Sequence, residues 1–80
     1  MQNTFNLYST DGCHLCEQAL ALISSVNPNI IVNVLDIMDD PTWLEAFQIR
    51  IPVFEHIPSN KQLDWPFDAE QLSAFLTDNA

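Results

Sequence analysis

Eighty residues, 48% of them hydrophobic, with a single glycine and five prolines, describe one packed domain rather than a disordered segment. Eleven Asp and Glu stand against only Arg50 and Lys61, a formal net charge of −9. That balance excludes nucleic-acid binding through phosphates and attraction to an anionic membrane, and it requires a neutral or basic surface on any soluble partner.

The opening residues, Met1 to Asn6, lack the basic and apolar regions of a secretory signal. No apolar run approaches the ~20 residues needed to span a bilayer. A cytoplasmic location is therefore expected. Two cysteines in such a chain point to redox or metal chemistry more than to a structural framework.

Residues 4–9 alternate with a period near two and predict a first strand, which Thr10-Asp11-Gly12 breaks. From Cys13 the apolar residues shift to helical spacing at Cys16, Ala19, Leu20 and Ile23. The helix should end before Asn27-Pro28, because a residue preceding proline avoids the helical region. Residues 30–35, nearly all apolar and rich in β-branched side chains, read as a parallel strand covered on both faces. Asp39-Asp40-Pro41 supplies acidic caps and a first-turn proline for a second helix through Trp43, Leu44 and Phe47.

Residues 52–55 predict a third strand, 57–60 a turn and 61–65 a fourth strand closing a hairpin. The last helix is the best marked. Asp68 with Gln71 fits a capping box, Phe67 with Leu72 a hydrophobic staple, and Leu72, Phe75 and Leu76 form its buried stripe. The order β-α-β-α-β-β-α predicts an α/β domain over residues 1–80: a four-stranded mixed sheet flanked by three helices. Its opening βαβ unit should be right-handed and parallel.

Cys13-His14-Leu15-Cys16 falls at a strand-to-helix junction. A cysteine at a helix N-terminus faces unpaired backbone N–H groups and the positive end of the helix dipole, which favour the attacking thiolate. Cys16, one turn on, shares its face and lies within disulfide reach. Cys13 would attack a disulfide, and Cys16 would resolve the mixed disulfide. Gly12 provides the break before the pair. His14, when protonated, would favour the thiolate; Asp11 and Glu17 act the other way if they lie close. Zinc bound by the two cysteines with His14 or His56 is an alternative. His56, at a strand end, is expected to be exposed.

This element order closely resembles the minimal thioredoxin fold. Cys13-His14-Leu15-Cys16-Glu17, Arg50-Ile51-Pro52-Val53 and Trp65-Pro66-Phe67-Asp68 resemble, in that order, the motifs of short glutaredoxin-like proteins. The resemblance implies thiol–disulfide oxidoreductase activity with Cys13 and Cys16 as the redox pair. It also implies a cis Ile51-Pro52 bond facing them, whose exposed backbone could pair with an extended substrate.

Two departures from glutaredoxins proper bear on glutathione. Asp11-Gly12 replaces the basic residue before the first cysteine, and Trp65-Pro66-Phe67 replaces the glycine pair before the last helix. Asp68, toward the glutathione amine, and Arg50, toward a carboxylate, are the contacts that remain, although in so acidic a chain Arg50 is as readily expected to pair with a nearby acid. The expectation is weak glutathione binding at most, no other cofactor, and a monomer acting on a disulfide-bearing protein or a glutathione mixed disulfide. A thioredoxin-fold adaptor with vestigial cysteines and a metal or iron–sulfur carrier stand as alternatives.

Overall fold

The computed structural model describes residues 4–79; residues 1–3 and 80 of the expected domain lie outside the described residues. Its elements are β1 (Thr4–Ser9), α1 (His14–Val26), β2 (Ile31–Asp36), a short 3-10 helix (Ile37–Asp39), α2 (Pro41–Phe47), β3 (Val53–His56), β4 (Lys61–Asp64) and α3 (Ala69–Asp78). The expected order of strands and α-helices is thus observed. The sheet runs β2-β1-β3-β4, with β1 and β2 parallel and the other two pairs antiparallel.

Local chemistry explains most boundaries. Asn27, extended ahead of Pro28, ends α1 and turns its Oδ1 to accept from the Asn29 N–H at 3.0 Å. Asp36 and Asp40 cap the two short helices that follow β2, accepting from Met38 N–H at 2.9 Å and Thr42 N–H at 2.8 Å. Pro41 occupies the first turn of α2.

Successive strand residues face opposite sides of the sheet, which sorts the core into two parts. Phe5, Leu7 and Phe54 pack with Ala19 and Ile23 of α1, Leu72 of α3 and Phe67. The Phe5 and Phe54 rings stack at 4.8 Å. On the other face Tyr8 and Val53 meet Phe47 of α2 and Ile37. There the Tyr8 hydroxyl donates to Glu55 Oε1 at 2.6 Å, and Gln62 Nε2 donates to Glu55 Oε2 at 3.1 Å. Burial, and next the Glu55 carboxylate, push the Tyr8 phenol above its ordinary value.

Two expectations are corrected. Residues 30–35 do not form a strand covered on both faces: β2 is an edge of the sheet, with Ile31 60% and Val34 53% exposed. Leu35, like Trp43 and Leu44 of the seven-residue α2, packs against the Tyr8 cluster, whereas Ile31, four residues back on the same face, is left in solvent. His56 is buried, not exposed. It ends an interior strand against the Phe5 ring, and its Nδ1 lies 2.8 Å from Ser59 Oγ, which in turn reaches Asn79 at the end of α3.

Candidate active site

β1 and β2 run parallel and end at Ser9 and Asp36, and β3 begins at Val53 opposite Tyr8. The loops after β1 and β2 and the loop before β3 therefore share one end of the sheet. That end carries Cys13, Cys16 and Pro52. Crevices beyond the carboxyl ends of parallel strands are where α/β sheets place ligands.

The loop after β1 is a turn closed by the Cys13 N–H donating to the Thr10 carbonyl at 3.3 Å. Gly12 sits in it at φ +77°, the left-handed conformation glycine adopts without strain. A side chain there would meet nothing within 4 Å, so conformation rather than space calls for glycine. Thr10 Oγ1 donates to Asp36 Oδ1 at 3.2 Å, tying this turn to the end of β2.

Cys13 is the N-cap of α1. Its backbone is extended, its carbonyl accepts from the Glu17 N–H at 3.1 Å, and its sulfur accepts from the Cys16 N–H at 3.2 Å. Cys13 and Cys16 are joined in a disulfide with Cα atoms 5.3 Å apart. Cys13 is half-buried whereas Cys16 is 4% exposed. One sulfur can thus be reached from solvent while its partner waits beneath. His14 and Glu17 stand in solvent, His14 Nδ1 3.4 Å from Glu17 Oε2, an ion pair beside Cys13 when the imidazole is protonated.

Ile51-Pro52 is cis, and so is Trp65-Pro66, which the sequence reading did not anticipate. Pro52 is buried, level with Ser9 across the sheet. The backbone expected to be open there is in part engaged. The Ile51 N–H donates to the Phe47 carbonyl at 3.1 Å, and the Pro52 carbonyl accepts from the Trp65 N–H at 3.3 Å. The turn leaving α2 and the returning hairpin have taken those groups.

Arg50 and Asp68 are likewise engaged. Arg50 grips Asp64 through Nε at 3.2 Å and a terminal nitrogen at 2.8 Å, bonds Gln62 at 2.8 Å, and lies over the Phe47 ring. Asp64 raises its guanidinium above the ordinary value. Asp68 caps α3 and accepts from the Gln71 N–H at 2.8 Å. Gly12, Cys13, His14, Cys16 and Pro52 thus share the end that carries the disulfide, while the side chains of Arg50 and Asp68 are held by their own neighbours.

Beside Cys13 opens a cavity of about 470 Å³, which Asp11, Gly12, Glu17, Val34 and Asp36 help to line. Val34 and Asp36 were not anticipated. Their only signal in the sequence is their place at the carboxyl end of a parallel strand. The zinc alternative is not assembled. His56 lies at the far end of β3, and among the described residues no group of three or more His, Cys, Asp or Glu is placed to hold a metal ion. No helix among the described residues is long and apolar enough to cross a membrane.

None of the curated proteins matches the chain. Solved structures do. The X-ray structure of target protein XcR50 from X. campestris is 36% identical, with a TM-score of 0.85, over 95% of this chain and 99% of that one. Protein Ne2328 from Nitrosomonas europaea is 23% identical, with a TM-score of 0.77, over 90% and 88% of the two chains. Thioredoxin 1 from Thermosipho africanus, 16% identical over 94% and 96%, has a TM-score of 0.62 and shares the fold. The family profile described as glutaredoxin-like domain (DUF836) matches residues 4–77. With a thioredoxin-like fold, a cysteine pair at the head of α1 and a profile spanning nearly its whole length, the chain belongs to the glutaredoxin-like domain family.

Proposed function

We propose that the chain is a thiol–disulfide oxidoreductase whose Cys13–Cys16 pair exchanges two electrons with a disulfide-bearing protein or a glutathione mixed disulfide. One observation carries this reading: an accessible N-cap sulfur joined to a buried sulfur one turn along the same helix. In the reduced protein the Cys16 N–H and the positive end of α1 favour the Cys13 thiolate. That thiolate attacks one substrate sulfur, the substrate S–S bond breaks, and the departing thiolate takes a proton. The Cys16 thiol gives up a proton and attacks the Cys13 sulfur, releasing the second substrate thiol and restoring the disulfide. The reaction runs on the two sulfurs, and a cytoplasmic thiol reductant returns the pair to the dithiol.

Glutathione itself is a weak ligand in this reading. Arg50 and Asp68, the two residues left to hold it, are committed to Asp64 and Gln71, and the charge of −9 repels an anion. A chemical-shift titration of Cys13→Ser should give a dissociation constant of about a millimolar or weaker. Saturation at micromolar glutathione would restore an orthodox glutaredoxin role.

The redox reading is tested by equilibrating the protein in dithiothreitol buffers of graded potential and counting thiols. A reversible two-electron couple is expected, and Cys16→Ser should accumulate a mixed disulfide through Cys13. Thiols that never exchange would sink the assignment and leave an adaptor.

A further inference from the structure

The cavity onto which Cys13 opens is lined by three carboxylates, Asp11, Glu17 and Asp36, and by no lysine or arginine. The chain has only two such cations. Arg50 is bound to Asp64, and Lys61 starts β4 opposite His56, at the other end of the sheet. Asp36 is fixed in place by Thr10 and by the Met38 N–H, both on its Oδ1. What makes this cavity a substrate position is Cys13 on its wall, since the sulfur that reacts must approach there.

We infer that the preferred substrate is a protein disulfide whose cysteine is flanked by a lysine or arginine, which enters the cavity while its neighbouring sulfur meets Cys13. This inference rests on the redox reading above. The volume of about 470 Å³ lies in the usual range for small-ligand pockets, so a long side chain fits. The aliphatic stem of such a side chain can lie along Val34 while its charge meets the carboxylates.

The surroundings favour a macromolecule over a small disulfide. Leu15, Met38 and Ile49, on the three segments that share this end, are 46%, 64% and 94% exposed. A protein partner can cover these side chains as it docks, which a small disulfide cannot. The same carboxylates repel the glycine and glutamyl carboxylates of glutathione. Atoms and electrons balance as in the exchange above: one substrate disulfide becomes two thiols as Cys13 and Cys16 become a disulfide. The flanking cation takes no part in the bond changes and only raises the rate of encounter and docking.

Two peptides differing only in the residues beside one cysteine, lysine in one and glutamate in the other, test this. Each carries the cysteine as a mixed disulfide with neutral 2-thiopyridine, whose release is followed by absorbance. Rates with the reduced protein are divided by those with dithiothreitol to remove intrinsic reactivity.

The lysine peptide should react at least about tenfold faster at low ionic strength, with the ratio shrinking as salt shortens the Debye length toward about 8 Å. The triple variant Asp11→Asn, Glu17→Gln, Asp36→Asn should bring the ratio close to one. Asp78→Asn, at the far end of α3, should not change it. Equal rates for the two peptides in the native protein would overturn the inference and leave the redox reading standing. A preference that survives the triple variant would overturn the cavity as its source. Release from neither peptide would overturn the redox reading and this inference with it.

Discussion

α1 and α3 begin with the same geometry and put it to different ends. In each, the N-cap side chain accepts from the backbone N–H three residues on: Cys13 from Cys16 at 3.2 Å, and Asp68 from Gln71 at 2.8 Å. At α3 the third residue replies, Gln71 Oε1 accepting from the Asp68 N–H at 3.0 Å to complete a capping box. At α1 both residues are cysteines, and a disulfide takes the place of the reciprocal hydrogen bond. The lesson is geometric. An N-cap brings its own side chain and that of the third helical residue within bonding reach, so Asp with Gln yields a clamp and Cys with Cys yields a disulfide. Sulfur accepts hydrogen bonds weakly, so α1 has a poorer cap but a reactive group facing the positive end of a helix.

The largest effect should come from making α1 more like α3. Cys13→Ser keeps a capping side chain, and serine ranks among the best N-caps. Disulfide reduction should fall to the uncatalysed background. Stability against urea, compared with reduced native protein, should hold or rise by up to about 1 kcal/mol. Thiol-release kinetics and urea titration read the two arms. Turnover that survives would remove Cys13 as nucleophile, and a lost fold would remove the cap equivalence.

Glu55 extends the comparison to a carboxylate with no helix to cap, buried between Tyr8 and Gln62. Tyr8→Phe takes away one of its donors and should cost about 1–3 kcal/mol near neutral pH. The sign of the pH dependence follows from the raised Tyr8 value. The folded state keeps the phenol proton longer than the unfolded state does. Its stabilisation is therefore complete below the ordinary tyrosine value of 10.0 and is lost as pH climbs through the higher folded value. Tyr8 is the only tyrosine in the chain, so phenolate absorbance reports it alone. Urea midpoints at about pH 8 and about pH 11 should converge between native protein and Tyr8→Phe. A constant gap would mean that the phenol does not titrate with folding.

Next in size is the clamp itself. Asp68→Ala should cost about 1 kcal/mol, or about 4–8 °C in Tm for a domain of this size. Asp68→Asn, which can still cap, should cost little. Neither should slow disulfide exchange at Cys13, because Asp68 is engaged with Gln71. Slowed exchange without lost stability would instead place Asp68 in contact with substrate.

What the sequence made legible follows the range of the interaction. The α3 clamp was readable because Asp68 and Gln71 lie three residues apart, and the Cys13–Cys16 pair for the same reason. Asn27-Pro28 ended α1 as expected through a clash between neighbours. Readings lose precision where the partner is distant in the chain. An ion pair for Arg50 was expected in so acidic a chain, but not that Asp64, 14 residues on, would supply it; only the hairpin brings them together. An apolar run such as residues 30–35 shows strand propensity but not strand order, and an outer place in the sheet leaves Ile31 and Val34 in solvent. His56 was misread for a similar reason: the end of α3, some twenty residues later, reaches it through Ser59 and Asn79. Asp36 enters the cavity beside Cys13 because β2 and β1 are parallel neighbours, a fact of topology rather than of spacing.

The smallest effect tests whether the first turn of α1 is tuned by charge or only by the backbone. His14 and Glu17 are 90% and 75% exposed along their side chains, so water and salt screen their action on the Cys13 sulfur. Their charges oppose each other at 3.4 Å when the imidazole is protonated. With neutral iodoacetamide as the probe, His14→Ala should slow alkylation of Cys13 and Glu17→Gln should speed it, each by about twofold or less. The double variant should return close to the native rate. Coupling of that size leaves the backbone N–H groups at the head of the helix as the main stabiliser of the thiolate. A tenfold loss in His14→Ala would reverse the order, making the imidazole the principal group and α1 a helix whose reactivity is supplied by a side chain.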